Sequence, residues 1–364
     1  MPKNYKFSVN KKYLLISNFL GNKNRHGGVK RSDQIKELFD KFDCISVNPY
    51  STLKKSIKKA LYYPYIFIDI LIFSIYFFFK GLSFRGVILF SFKSIEILRI
   101  INLNKNREII LEGAGDLPII LMNYLAFKNI RFSTFLGNIE YLVPQDNIIN
   151  YFKSIKYKYS LEIKGYKKAS SVFTISEFDS AVLGCHQIKS KTLNYFPCEK
   201  DFQQIKEIKK IRDNKFTNKS KGHILLLGTI YNTPSRIGVL DAINYFDKQK
   251  KIYPLKVAGF GTEIFKKYSS DCIDIVGSVS EQNLKELIIN TKVLIINQIE
   301  TTGFLTKIID FNLSGVPIIC TSNYFQANNL QKYGIFKVSY SEIPKLLSTN
   351  ILEKKYEFFE KPTL

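Results

Sequence analysis

Short runs of apolar, often β-branched residues alternate along this chain with longer stretches whose apolar residues recur at helical spacing. In the first half, strands are expected at Tyr13–Ser17, Cys44–Val47, Val87–Ser91, Glu108–Glu112, Phe132–Leu136 and Ser171–Ser176. Helices are expected between them: one that follows His26-Gly27-Gly28-Val29 and ends near Phe42, then Ile95–Leu103, Leu117–Phe127 and Tyr151–Lys168. In the second half, His223–Leu227, Leu255–Ala258, Ile273–Val276 and Val293–Asn297 read as strands, and Ile237–Phe246 and Glu281–Asn290 as helices. This alternation predicts an α/β protein with parallel sheets covered on both faces. Asp201–Gly222 is lysine-rich and lacks apolar periodicity, so it reads as the loop or helix between two domains. The expected organisation is one domain over 1–198, a linker over 199–221 and a second domain over 222–344. Residues 345–364 remain available to pack back on the first domain.

The stretch Thr302–Ile319 organises the second half. Thr302 and Gly303 open a turn, an apolar face at helical spacing runs through Ile308, Phe311 and Leu313, and Ser314-Gly315 ends it before the buried run from Val316 to Ile319. A helix N-terminus at the carboxyl end of a sheet offers free N–H groups and a positive dipole end, which suits a phosphate. Lys307 adds a point charge one turn in, and Asp310 is placed to accept hydrogen bonds from sugar hydroxyls. A packed helix followed by a strand explains the apolar residues equally well without any ligand. The glycine pair Gly27-Gly28, between a strand and a helix, repeats the phosphate-approach geometry in the first half, although an ordinary tight turn has the same residues.

Charge changes the picture of partners. The 364-residue chain carries 54 lysines and arginines against 31 acidic residues, a formal charge of +23. In the first sixty residues the count is 14 positive against 4 negative. Such an excess points to an anionic membrane surface, an anionic substrate or nucleic acid. Lysine dominance with no tryptophan also fits an AT-rich genome. No aromatic-interleaved basic strand or reading helix stands out, so nucleic acid is not the expected partner. A 45% hydrophobic content excludes a disordered tail protein. The five cysteines are scattered singly, which disfavours a zinc site or a disulfide framework and fits a reducing cytoplasm. The basic N-terminus leads into the first strand and does not read as a signal peptide.

Leu61–Phe79 is the least soluble-looking segment, and Lys54, Lys55, Lys58 and Lys59 precede it. Its length approaches a membrane span, but Pro64 and Asp69 interrupt it. A buried helix and a helix lying in the membrane interface are the main readings, and the basic flank and aromatic content favour the second.

In the C-terminal half, LLLGTIYNTPSRIGV, LKVAGFG, IDIVGSVSEQNLKELIINTKVLIIN and TGFLTKIIDFNLSGVPII, and in the N-terminal half HGGVKRS, LEGAGDLPIILMNYLAF, FLGNIEYLVP and SSVFTISEFD, occur in the order seen in one family. The chain resembles the group 1 glycosyltransferases, retaining nucleotide-sugar-dependent enzymes with the GT-B fold of two facing Rossmann-like domains. The resemblance spans roughly residues 13 to 345 and implies the following roles. Arg236 and Lys307 bind the donor diphosphate and stabilise its charge as it leaves, with Gly27 and Gly28 near that diphosphate across the cleft. Gly228, Gly259, Gly277, Thr302, Gly303 and Asp310 form the donor side, Asp310 standing at the ribose-binding glutamate. Glu140, in Asn138-Ile139-Glu140, is the third catalytic candidate. Thr302 occupies the position of the family's other glutamate, with Glu300 two residues earlier, and Gly137 stands where many relatives have histidine. The implied mechanism is metal-independent, with no cofactor, in keeping with the lack of an Asp-x-Asp pair; Asp271 and Asp274 are too far apart to form one. The implied acceptor is a lipid-linked saccharide or polysaccharide at the inner face of the cytoplasmic membrane. The same residues leave open a catalytically silent paralogue acting as an interaction subunit.

Overall fold

The computed structural model describes residues 11–21, 26–48, 62–113, 115–144, 151–216, 222–230, 233–249, 254–298, 302–321, 330–349 and 355–362. Glu300 and the lysines at 54, 55, 58 and 59 lie outside them. Two six-stranded parallel sheets make up the framework. The first consists of β1 (Lys12–Ser17), β2 (Asp43–Val47), β3 (Glu108–Gly113), β4 (Phe132–Leu136), β5 (Ser171–Thr174) and β6 (Lys191–Thr192), in the order β2-β1-β3-β4-β5-β6. The second consists of β7 (His223–Leu227), β8 (Leu255–Ala258), β9 (Ile273–Gly277), β10 (Thr291–Ile296), β11 (Ile318–Cys320) and β12 (Ile335–Lys337), in the order β12-β11-β10-β7-β8-β9.

Alternating side chains of each strand go to opposite faces, and both faces are covered by helices. Tyr13 and Leu15 of β1 pack with Ile35, Phe39 and Phe135, whereas Leu14 and Ile16 pack on the other side with Ile70 and Phe73. In the second sheet Ile224 and Leu226 face Val239 and Phe246, while Leu225 faces Ile308 and Phe311. Strand order reverses between β1 and β3 in the first sheet and between β7 and β10 in the second, so each sheet has a crevice at those carboxyl ends.

Two expectations need correction or sharpening. Val87–Ser91 is not a strand but the middle of a helix, Phe84–Lys93, whose cap Ser83 accepts a hydrogen bond from the Gly86 amide at 2.9 Å. A short apolar run has no diagnostic period, and packing of Phe90 on Phe73 of the preceding helix, with ring centroids 5.7 Å apart, decides for the helix. The polar run between the halves forms the helix Glu199–Phe216. Its buried Arg212 donates to the carbonyls of Ile288 at 2.7 Å and Thr291 at 2.6 Å, satisfying the open end of the helix Glu281–Asn290. The helix Glu199–Phe216 is therefore fastened to the second domain by this guanidinium together with Ile208, which packs among Leu225, Ile288 and Leu294.

A small apolar cluster joins the halves beside the crevices: Ile175, Tyr195 and Phe196 meet Ile205 of the connecting helix and Ile309 and Leu313 of the helix Thr306–Leu313. At the C-terminus, Phe359 stacks on Tyr333 at 4.3 Å and its amide donates to Asn312, while Lys361 pairs with Glu37 at 3.2 Å. The last segment thus lies on the second sheet's helix layer and reaches the first.

Candidate active site

The crevice between β7 and β10 is bounded by the starts of two helices, Thr233–Lys248 after β7 and Thr306–Leu313 after β10. Lys307, half-buried in the first turn of the second, donates from Nζ to the Leu227 carbonyl at 2.7 Å, at the last residue of β7. A Cβ built on Gly228 would lie 3.7 Å from that ammonium. Gly228 in turn is in backbone contact with Gly259: a Cβ on Gly259, whose φ is +129°, would fall 1.9 Å from the Gly228 carbonyl oxygen. The Gly259 amide donates to Gly277 at 2.9 Å, so the three expected donor-side glycines run in a row across the ends of β7, β8 and β9. Only Gly228 of the three sits beside Lys307; a Cβ on Gly277 would meet Glu263 instead. Arg236 lies half-buried in the first turn of Thr233–Lys248, and Ser235 beside it donates to Gln298 at 3.1 Å, past the end of β10.

Burial pushes the Lys307 ammonium down from an ordinary 10.5 to about 8, with the Cys320 thiol opposing the shift. Between about pH 8 and 10.5 the unfolded chain binds more protons at this lysine than the folded one, so its contribution makes stability rise with pH across that window. Melting temperatures of wild type and Lys307→Met measured over the same range should show wild type gaining on the variant as pH rises, the variant lacking this slope. A nucleoside diphosphate needs the charged ammonium, so its affinity should fall as pH rises above about 8, and titration calorimetry at several pH values checks this.

From the first domain, Gly27 starts the helix Gly27–Phe39 directly against this site: a Cβ there would lie 2.9 Å from the Thr306 hydroxyl. Gly28 is packed under Phe19, and its amide donates to the His26 ring at 3.2 Å. The next residue but one, Lys30, reaches across and pairs with Asp310 at 2.5 Å. Asp310 also accepts the Tyr195 hydroxyl at 3.0 Å. The carboxylate expected to meet a ribose is thus held by two groups of the opposite domain.

Thr302 and Gly303 sit at the same interface. The Thr302 hydroxyl accepts from the Ile139 amide at 3.0 Å and donates to the Ile139 carbonyl at 3.1 Å. The Gly303 amide donates to Asp179 at 3.1 Å, and the Asn138 side-chain amide lies against the carbonyls of Gly137 and Thr302, to which its nitrogen donates once the amide is turned over. Positions 137 and 302, the two departures from the family pattern, therefore touch the same side chain. Glu140 is buried, 3.9 Å from Lys158, which itself pairs with Asp116 at 2.9 Å. Burial raises its pKa, and the neighbouring Glu162 carboxyl is pushed up to about 7 although it accepts from the amides of Glu140 and Tyr141.

Lys30, Tyr195 and Asp179 were not singled out from the sequence. Lys30 lies inside HGGVKRS, and Ser176 caps the helix that carries Asp179, its hydroxyl accepting from the Asp179 amide at 3.1 Å, a serine-to-acid spacing of three that is legible in the sequence. Nothing local marks Tyr195.

No protein-family model matches the chain, and no curated protein matches it. Solved structures do. HepE from Anabaena, in complex with UDP, aligns with a TM-score of 0.55 at 9% identity over 93% of this chain and 90% of that one. A glycosyltransferase from Rickettsia africae aligns with a TM-score of 0.54 at 19% identity over 95% and 91%. The UDP-GlcNAc 2-epimerase from Methanocaldococcus jannaschii gives 0.54 at 12% identity over 96% and 94%. At such identities the likeness concerns architecture. With two Rossmann-like parallel sheets meeting at their crevices and these neighbours over nearly the whole length, the chain has the GT-B fold.

Proposed function

We propose that this chain is a glycosyltransferase that moves a sugar from a nucleotide-sugar donor, with retention and without a metal, to a lipid-linked or glycan acceptor at the inner face of the cytoplasmic membrane. The observation that carries the reading is the Lys307 ammonium lying over Gly228 at the β7/β10 crevice, opposite Gly27 of the other domain. In this reading Lys307 and Arg236 hold the diphosphate and take up the charge that develops as it leaves, aided by the dipole of the helix that carries Lys307. Gly27 and Gly28 leave room for the phosphates, and Gly228, Gly259 and Gly277 shape the donor side. Asp310 receives the ribose once Lys30 has released it, and the Thr302-Gly303 turn borders the donor sugar. Glu140 acts from its buried site by positioning the Asn138 loop. The UDP held by the Anabaena structure is the kind of donor product that this arrangement suits.

Product analysis tests the reading. Incubation with UDP, GDP, CDP and ADP sugars and a lipid-linked acceptor should release nucleoside diphosphate and glycosylate the acceptor. Epimerised donor without transfer would contradict it and favour the chemistry named for the Methanocaldococcus structure. A second reading, a catalytically silent interaction subunit, is favoured by one observation: Thr302 and Asp310 both engage the opposite domain. Full activity in cells of a Lys307→Ala variant would select it.

A further inference from the structure

The helix Pro64–Phe79 is buried along one face only, through Ile66, Ile70, Phe73, Ser74 and Phe77. Its other face carries Tyr65 at 65% exposure, Ile72 at 61% and Phe79 at 77%, with Ile68, Ile75 and Tyr76 between them. These positions recur three and four residues apart, so they form one apolar stripe, about 20 Å long at 1.5 Å per residue. No helix among the described residues is long and apolar enough to cross a membrane. Exposed Phe84 and Ile88 of the next helix and Phe127, whose ring lies 5.7 Å from Tyr76, extend the apolar set.

At one end the stripe borders a cleft of about 900 Å³ at the amino ends of β1, β3 and β4, the end of the first sheet away from the candidate active site. Six cations line it, among them Lys12, Lys105, Arg107, Lys128 and Arg131, against two carboxylates, Asp69 and Glu108. The border is shared: Asp69 stands on the striped helix, accepts from Tyr124 and pairs with Lys128 at 2.5 Å, and Lys128 follows Phe127 in the chain. At the other end the stripe stops at Phe79, where Gly81 and Ser83 bond to Lys153 and Tyr151, in the segment that follows the carboxyl end of β4.

We infer that this face docks on an anionic bilayer, with the phosphate of an acidic phospholipid headgroup in the cleft and the stripe at the acyl boundary. Charge complementarity selects this occupant over a second protein: the lining has an excess of four positive charges. Lys11 pairs with Glu108, Lys128 with Asp69, and Lys12 and Arg107 with Asp43. Lys105 and Arg131 add two further cations, and such an excess beside an aliphatic and aromatic face matches a phosphate attached to a hydrocarbon chain. The inference rests on the membrane-acceptor reading and adds to it the headgroup site and the face that lies down. The stripe then reaches from that site to the end of the sheet bearing the candidate active site.

Flotation of the purified protein with vesicles of phosphatidylcholine alone, and with phosphatidylglycerol added, tests it. Wild type should float with the anionic vesicles and far less with the neutral ones. Lys105→Gln combined with Arg131→Gln should weaken anionic-vesicle binding roughly thirtyfold, at about fivefold per cation. Ile72→Ser combined with Phe79→Ser should weaken it on both vesicle types. Circular dichroism and the thermal shift given by a nucleoside diphosphate report whether each variant is folded with its donor site intact. Anionic-vesicle binding that the cation variant keeps would overturn the cleft and leave the membrane reading standing. No binding to either vesicle would overturn both. Glycerol phosphate in solution that binds the cleft without any vesicle binding would show a soluble ligand and overturn the bilayer.

Discussion

Replacing Lys307 by alanine is expected to lower turnover about 100- to 1,000-fold, equivalent to roughly 2.7–4 kcal/mol of transition-state stabilisation, with a smaller change in donor KM. The ammonium is the group at this crevice whose position is fixed by a backbone carbonyl, Leu227 at 2.7 Å, and it is half-buried, where its charge acts through a lower dielectric than water. It sits in the first turn of Thr306–Leu313, so charge and helix dipole reinforce each other. Stability should not fall with activity. Removing a lysine whose burial already pushes it down to about 8 relieves a desolvation penalty at neutral pH, so the melting temperature should hold or rise slightly. Steady-state kinetics together with thermal melts on one preparation separate these outcomes.

Gly259→Ala is the second large effect, and it acts on stability. The residue has φ +129°, outside the range that a side chain tolerates, and a Cβ would lie 1.9 Å from the Gly228 carbonyl oxygen and 2.7 Å from its carbon. Backbone strain of about 1–3 kcal/mol adds to overpacking of similar size, since a carbonyl cannot rotate aside as a flexible side chain can. A loss of roughly 3 kcal/mol or more in denaturant unfolding of the second domain is expected. Gly277→Ala is the control: it has φ +83° but its Cβ would meet only the Glu263 side chain, at 3.1 Å, so strain without a backbone clash should cost about half as much. Because Gly259 supports Gly228, surviving Gly259→Ala protein should also bind nucleoside diphosphate more weakly.

Much of the framework was legible because its strands are short, apolar and bounded. Tyr13–Ser17, Phe132–Leu136 and His223–Leu227 are buried on both faces, and a continuous apolar run can report that without knowledge of its neighbours. Where the period is ambiguous, the neighbours decide. Val87–Ser91 is helical because Ser83 caps it and Phe90 packs on Phe73. The helix Glu199–Phe216 looks unpatterned because only a narrow face is buried, through Ile205, Ile208 and an arginine serving carbonyls 76 and 79 residues away.

The candidate site divides in the same manner. Lys307 and Gly228 belong to local motifs, and their convergence follows from β7 and β10 being neighbours. The state of Asp310 was not legible, because its partners Lys30 and Tyr195 are 280 and 115 residues away. Thr302 is similar. Read alone it is a glutamate lost from a family pattern; in place, its hydroxyl holds Ile139 from both sides, next to Gly137. A small hydroxyl side chain makes both bonds at 3.0–3.1 Å, a fit that a longer carboxylate would not reproduce.

The central claim is that a nucleotide diphosphate binds at the β7/β10 crevice against Lys307. The most direct measurement is the thermal shift of wild type and Lys307→Ala with saturating UDP, GDP, CDP and ADP. The account predicts that at least one nucleotide stabilises the wild type, by about 2.7 kcal/mol at a hundred times its dissociation constant, and that Lys307→Ala loses most of that gain. No stabilisation by any of the four, or an equal shift in both proteins, would contradict it.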